Sequence, residues 1–93
     1  MKFEWDEAKN SLLKKRRNVC FEDVIVAIGE GRLLDVVPHH NQEQYSHQKL
    51  FIVKIRDYVY YVPFVEDEVK VFLKNIIPSR KYQKHYAQEK SNG

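Results

Sequence analysis

The chain has a single cysteine, three glycines and three prolines, and no long uninterrupted apolar run. With Cys20 alone there is no internal disulfide, which excludes the stapled scaffolds of small secreted proteins. Gly29, Gly31 and Gly93 are too few and too scattered to form a glycine-rich phosphate loop, and no serine nucleophile elbow occurs. No apolar segment reaches signal-peptide or membrane-spanning length, so no membrane partner is expected and the chain reads as cytoplasmic. Repeats, low-complexity blocks and linker-like stretches are also missing.

What remains is enough to fold. With 93 residues, 43% hydrophobic and 13% aromatic, the chain supports one core, so residues 1–93 read as a single domain with a frayed tail over about 88–93. Formal net charge is only +3, so the global field is weak. The basic residues cluster, however, and local charge is the informative quantity.

Asp6 stands where it can cap a helix by accepting from the backbone near Lys9. Trp5, Ala8 and Leu12 then recur at three- and four-residue spacing and predict an inward stripe, with Leu13 close by and Lys9 and Arg16 on its rim. Asn18, tolerant of left-handed backbone, stops this helix near Arg17. Phe21, Val24, Ile25 and Ile28 mark a second helix ending at Gly29 and Gly31. The stretch LLDVV closed by Pro38 predicts a short strand, and HHNQEQYSHQ is too polar to bury and reads as a loop or hairpin connection. KLFIVKI and YVYYVPFV flank Arg56 and Asp57 as a β-hairpin, with Pro63 implying an edge, a bulge or a strand end. VKVFLKNII predicts the last strand, ended by Pro78, after which Ser79 caps a basic helix. The order α-α-β-β-β-β-α gives an α+β domain with a mainly antiparallel four-stranded sheet.

Two basic clusters stand out: Lys9 with Lys14, Lys15, Arg16 and Arg17, and Arg80 with Lys81, Lys84 and His85. In the second, Lys81, Lys84 and His85 share a helix face while Tyr82 and Tyr86 occupy a neighbouring one that leans on the sheet. If the sheet brings both clusters to one face, that face attracts phosphate, and interleaved tyrosines stack on unpaired bases. Basic runs are equally common as solvated helix faces, and composition does not choose between these readings. His39, His40 and His47 lie in an irregular polar loop without the spacing of a metal knuckle, so neither a metal nor another cofactor is expected. Cys20, before an apolar helix, reads as a packed residue or a weak cap.

FEWDEAKN at the start, the basic run with NVCFEDV, and IIPSRKYQKHY near the end resemble the BrnT toxins of bacterial type II toxin–antitoxin systems, over most of the chain. Phe3, Glu4, Trp5, Asp6, Lys9, Val19 and Phe21 fit the family's first block; Ile76, Ile77, Arg80, Lys81 and Tyr86 fit its second. The resemblance implies a fold similar to RelE and metal-independent endoribonuclease activity. It also implies neutralisation, in a heteromeric complex, by a cognate antitoxin that itself binds operator DNA. Where the family has Lys-His-Gly, this chain has Arg16, Arg17 and Asn18; the asparagine preserves left-handed geometry, but Arg17 cannot act as a base.

Metal-free RNA cleavage needs a base for the 2′-hydroxyl, cations for the charged phosphorane and an acid for the leaving 5′-oxygen. The residues expected to meet these needs are Arg80, Lys81 and Lys9 at the phosphate, with His85 or Tyr86 as acid or base. Arg16, Arg17 and Lys84 hold phosphate, and Tyr82 stacks or packs. The alternative is a non-catalytic module whose basic face binds nucleic acid or an acidic partner.

Overall fold

The computed structural model describes residues 2–92, with side chains as far as Ala87; the tail expected over 88–93 lies outside the described side chains. Residues Lys2–Glu4 form a short strand, β1. Asp6 then caps α1 (Glu7–Arg17), its carboxylate accepting the Lys9 N–H at 3.0 Å, and Asn18 ends that helix in the left-handed region at φ 57°. Cys20 occupies the N-cap position of α2 (Phe21–Gly29), where its N–H is held by the Asp23 carboxylate at 3.0 Å. The strands β2 (Leu33–Pro38), β3 (Lys49–Ile55), β4 (Tyr58–Glu66), β5 (Lys70–Leu73) and β6 (Ile77–Pro78) follow, and α3 (Arg80–Asn92) closes the order.

The hairpin of β3 and β4 is the centre of the sheet. Arg56 and Asp57 both take positive φ, 47° and 68°, as a two-residue hairpin turn of the mirror-image type requires. Along β3 the side chains divide strictly: Phe51, Val53 and Ile55 enter one apolar cluster, Leu50 and Ile52 another. The first cluster takes Leu13 of α1 and Phe21, Val24 and Ala27 of α2; the second takes Tyr82 and Tyr86 of α3. The molecule is therefore a three-layer α+β domain, with α1 and α2 on one face of the sheet and α3 on the other. In the larger core Phe51 and Phe64 stack at 3.8 Å between centroids, and Trp5 stacks on Phe21 at 5.7 Å.

Two expectations about the sheet need correction. It has six strands in the order β1-β5-β4-β3-β2, with β6 also paired to β4, and it is mixed because β1 runs parallel to β5. A three-residue strand is too short to show alternation, and its partner lies more than sixty residues away, at Lys70–Phe72. The final strand is broken in two. The register of β4 with β5 pairs Phe64 with Leu73, whereas with β6 it pairs Tyr61 with Ile77, one residue out of step. The break lies across from Pro63, which has no N–H to continue the ladder while its carbonyl still accepts the Lys74 N–H at 2.7 Å.

The inward stripe of α1 is also corrected. Ala8 and Leu12 are exposed, while Leu13, expected close to the stripe, and Asn10, not expected inward, turn to the core. Asn10, only 7% exposed, joins the two helices: its Oδ1 accepts the buried Phe21 N–H at 2.7 Å and its Nδ2 donates to Glu22 at 2.8 Å. That Asn10 bond, before the other contributions, holds the Glu22 carboxyl below its usual pKa. Asn10→Ala leaves the Phe21 N–H unpaired and should cost about 1–3 kcal/mol. In a domain of this size that lowers the thermal midpoint by several degrees per kcal/mol, measurable by calorimetry or circular dichroism.

Candidate nucleic-acid interface

The carboxy-terminal helix is fixed to the sheet before any of its cations come into play. Ser79, buried, accepts the Tyr82 N–H on its Oγ at 3.1 Å, as an N-cap should. Its own N–H donates to the Val59 carbonyl at 3.0 Å, and the Val59 N–H donates to the Gln83 side chain at 3.0 Å. Both backbone groups of Val59, next to the end of the β4–β6 ladder, are thus satisfied by the start of α3. Tyr82 and Tyr86 pack against Leu50, Ile52 and Val59, as their spacing predicts, and Arg80, Lys81, Lys84 and His85 are exposed. The Lys81 ammonium lies 5.6 Å from the centroid of the Tyr82 ring, and the His85 ring stands edge-on to Tyr86 at 4.9 Å.

The amino-terminal cluster does not join this set on one face, contrary to expectation. Because α1 packs on the opposite face of the sheet, Lys9 lines a different cleft, with Asp6, Ala8, Leu12, Phe72 and Lys74. Arg16 is exposed on α1 with Lys14 and Lys15. Arg17 comes nearest to bridging the two: its guanidinium donates to the Ile76 carbonyl at 2.5 Å, four residues before Arg80. The clusters therefore approach one another where the chain enters β6, four residues ahead of Arg80, and the layer of sheet separates the rest.

Sequence reasoning did not single out the cavity that α3 makes with the sheet. It measures about 590 Å³ and is lined by Leu34, Lys54, Asp57, Val59, Gln83 and Tyr86. A phenol, an ammonium and a carboxylate thus share one recess, the last two carried by the β3–β4 hairpin. Lys54 is the even-numbered neighbour of Leu50 and Ile52 on β3, so strand alternation marks the face it serves once α3 is known to cover that face. Gln83 had no such signal, since a lone glutamine on a basic helix does not reveal that its amide completes a strand.

Cys20 is a structural residue: burial first, with the charge of Asp23 added, pushes its thiol above the usual value and away from the reactive thiolate. Among the described residues no group of three or more histidine, cysteine or acidic side chains is placed to hold a metal ion. No described helix is long and apolar enough to cross a membrane.

His39 is buried, and its Nδ1 accepts the Asn41 N–H at 3.0 Å, which leaves the proton of the neutral ring on Nε2. Its ring lies 4.4 Å from that of His40 and 4.6 Å from that of Tyr45. Burial, and secondarily the charge of His40, lowers the His39 pKa from its ordinary 6.5. Comparison of the chain with family models, curated proteins and solved structures finds no match.

Two outcomes follow from these contacts. Gln83→Ala should destabilise the docking of α3 by about 1–3 kcal/mol through the orphaned Val59 N–H, while Gln83→Glu, which keeps an acceptor, loses less; hydrogen exchange at Val59 reads both. For His39, the unfolded chain takes up a proton near pH 6.5 before the folded one does, so stability falls as pH drops through 6.5 toward the lower folded value. Denaturant midpoints between about pH 7.5 and pH 5 should therefore decline less steeply in His39→Gln than in the parent chain.

Proposed function

We propose that the chain is the toxin of a type II toxin–antitoxin pair, a cytoplasmic, metal-independent endoribonuclease of the BrnT kind with a RelE-like fold. Its substrate is RNA, and a cognate antitoxin that also binds operator DNA silences it. The observation that supports this reading most is the division of labour on α3. Tyr82 and Tyr86 hold the helix to the sheet, which leaves Arg80, Lys81, Lys84 and His85 exposed together on one element.

In this reading Arg80 and Lys81 grip the scissile phosphate and stabilise the charge that builds on the phosphorane, the largest contribution a metal-free site can make. His85, edge-on to Tyr86, moves a proton to or from the reacting oxygens, and Tyr86 is its partner. Lys84 holds a flanking phosphate and Tyr82 positions the helix. Lys9 is given no part at the scissile phosphate, because α1 lies across the sheet. Arg16 and Arg17 then serve RNA that continues past the start of β6, with Arg17 oriented by the Ile76 carbonyl. An exposed cationic face of this kind is also where an acidic antitoxin segment would sit, blocking RNA by occupying it.

The same separation of the two basic clusters favours a second reading, a binding module without catalysis for nucleic acid or an acidic partner. A labelled single-stranded RNA incubated with the purified chain in excess chelator distinguishes the two. Cleavage leaving cyclic-phosphate or 3′-phosphate ends is expected, and binding with intact RNA would establish the module instead. Within the nuclease reading, Arg80→Ala should lower cleavage about tenfold or more with the fold intact by circular dichroism. Lys14→Gln or Lys15→Gln should do much less, and near-normal cleavage by a folded Arg80→Ala variant would reject the assignment.

A further inference from the structure

The loop between β2 and β3 carries a feature that neither the core nor the cation set accounts for. Its composition is polar, yet it is tied to itself at successive points. The His39 N–H donates to the Gln48 carbonyl at 3.2 Å, the Tyr45 N–H to the Asn41 carbonyl at 2.9 Å and the Gln48 N–H to the Tyr45 carbonyl at 3.0 Å. The result is a fixed bracket holding three rings. The His39 and Tyr45 rings lie 4.6 Å apart, tilted by 38°, and His40, exposed, stands edge-on with Tyr61 on β4 at 5.7 Å.

Bracket and sheet form an open recess of about 360 Å³, a size that small-molecule sites commonly have. Besides the four rings, its lining includes Lys74 and Asn75 and contains no carboxylate. Asn75 uses its Oδ1 to accept the Ile76 N–H at 2.9 Å, which turns its amide N–H₂ to donor duty. Lys74 also lines the recess, with its ammonium over the Phe72 ring, 5.2 Å from the centroid, toward the cleft it shares with Lys9. A cation site is disfavoured by that ammonium and by the Asn41 N–H that occupies His39 Nδ1. Flat aromatic surface, amide hydrogen bonding and one cation without an acid is the chemistry that receives an unpaired nucleobase with its phosphate. The recess is lined also by Ile77, three residues before Arg80, so it lies beside the start of α3.

We infer that the recess formed by His39, His40, Tyr45 and Tyr61, with Lys74 and Asn75 in its lining, is a nucleobase subsite for single-stranded RNA. It sets which base flanks the phosphate held by α3. The inference rests on the proposed action on RNA, and the site is separate from the residues assigned to cleavage.

The test is a titration of the purified chain with nucleoside monophosphates and short single-stranded RNAs at fixed pH, following the histidine and tyrosine ring resonances by NMR, with inorganic phosphate alone as the control. Saturable shifts of the His40 and Tyr45 rings with nucleotides, absent with phosphate, are expected. His40→Ala should weaken binding about five- to tenfold, His40→Phe should restore most of it, and His40→Ala should alter which dinucleotide steps are cut. Rings unmoved by nucleotides, or moved equally by phosphate, would overturn the subsite. Ring shifts without any cleavage would leave the subsite standing and remove the nuclease reading. Cleavage with unmoved rings and an unchanged cutting pattern would do the reverse.

Discussion

Everything in this molecule is arranged around a hairpin that is apolar on both faces. Phe51, Val53, Val62 and Phe64 point one way and Leu50, Ile52 and Val59 the other, all of them buried or nearly so. Each such side chain is worth about 1.5–3 kcal/mol when removed from water, so neither face can be left to solvent. A surface ion pair such as Lys49 with Glu66, 3.2 Å apart and half exposed, contributes about 0–1 kcal/mol. Apolar burial therefore decides which helix lies on which side, and the cations go where the helices take them. The separation of Lys9 from Arg80 follows from this: the sheet needs a cover on each face, α3 covers one, and α2 with Leu13 of α1 covers the other.

Where local chemistry determines structure, the sequence was readable. Asp6, Asn18 and Ser79 each do at a helix end what their side chains or backbone tolerance predict, and the Arg56–Asp57 turn lies where two β-branched runs meet. Pro63 announced an irregularity, and the irregularity appears in the partner strand across from it. What was not readable depends on distant pairing. Lys2–Glu4 has no pattern of its own and becomes a strand only because β5 offers it a parallel edge. Leu12 looked like core by spacing and is 40% exposed, since Trp5 stacks on Phe21 and Leu13 fills the interior in its place. For the candidate site, the cations and tyrosines of α3 could be assigned to faces from spacing alone. Lys54, Asp57 and Gln83 could not, because their relevance depends on which sheet face α3 covers.

A few polar residues complete what burial begins. Asn10 supplies the acceptor that the first turn of α2 lacks, and Ser79 and Gln83 together extend the edge of β4 beyond the two residues of β6. A buried N–H without a partner costs as much as a sizeable fraction of a small domain's total stability, so these contacts decide the position of α3 more narrowly than apolar packing can. Positioning and chemistry are therefore coupled here: the residues that seat the helix are interleaved with those proposed to act on RNA.

That interleaving bears on how an exposed cationic helix can act on phosphate at all. At 4 Å a unit charge pair is worth about 1 kcal/mol in bulk water and about 4 kcal/mol in the partly shielded surroundings of a protein surface. Arg80, Lys81 and Lys84, exposed to solvent, hold an anion weakly and with strong salt dependence. The shielding must come from what lies beside them. On one side of α3 the recess of Lys54, Asp57 and Tyr86 is walled by the hairpin; toward its start, the ring bracket of His39, His40 and Tyr45 rises beside β6. An RNA strand laid between these two walls, with a base in the bracket, would itself displace water from the cations and strengthen their grip at the moment of binding. An acidic protein segment on the same track would be held by the same gain, so it would compete with RNA for that surface.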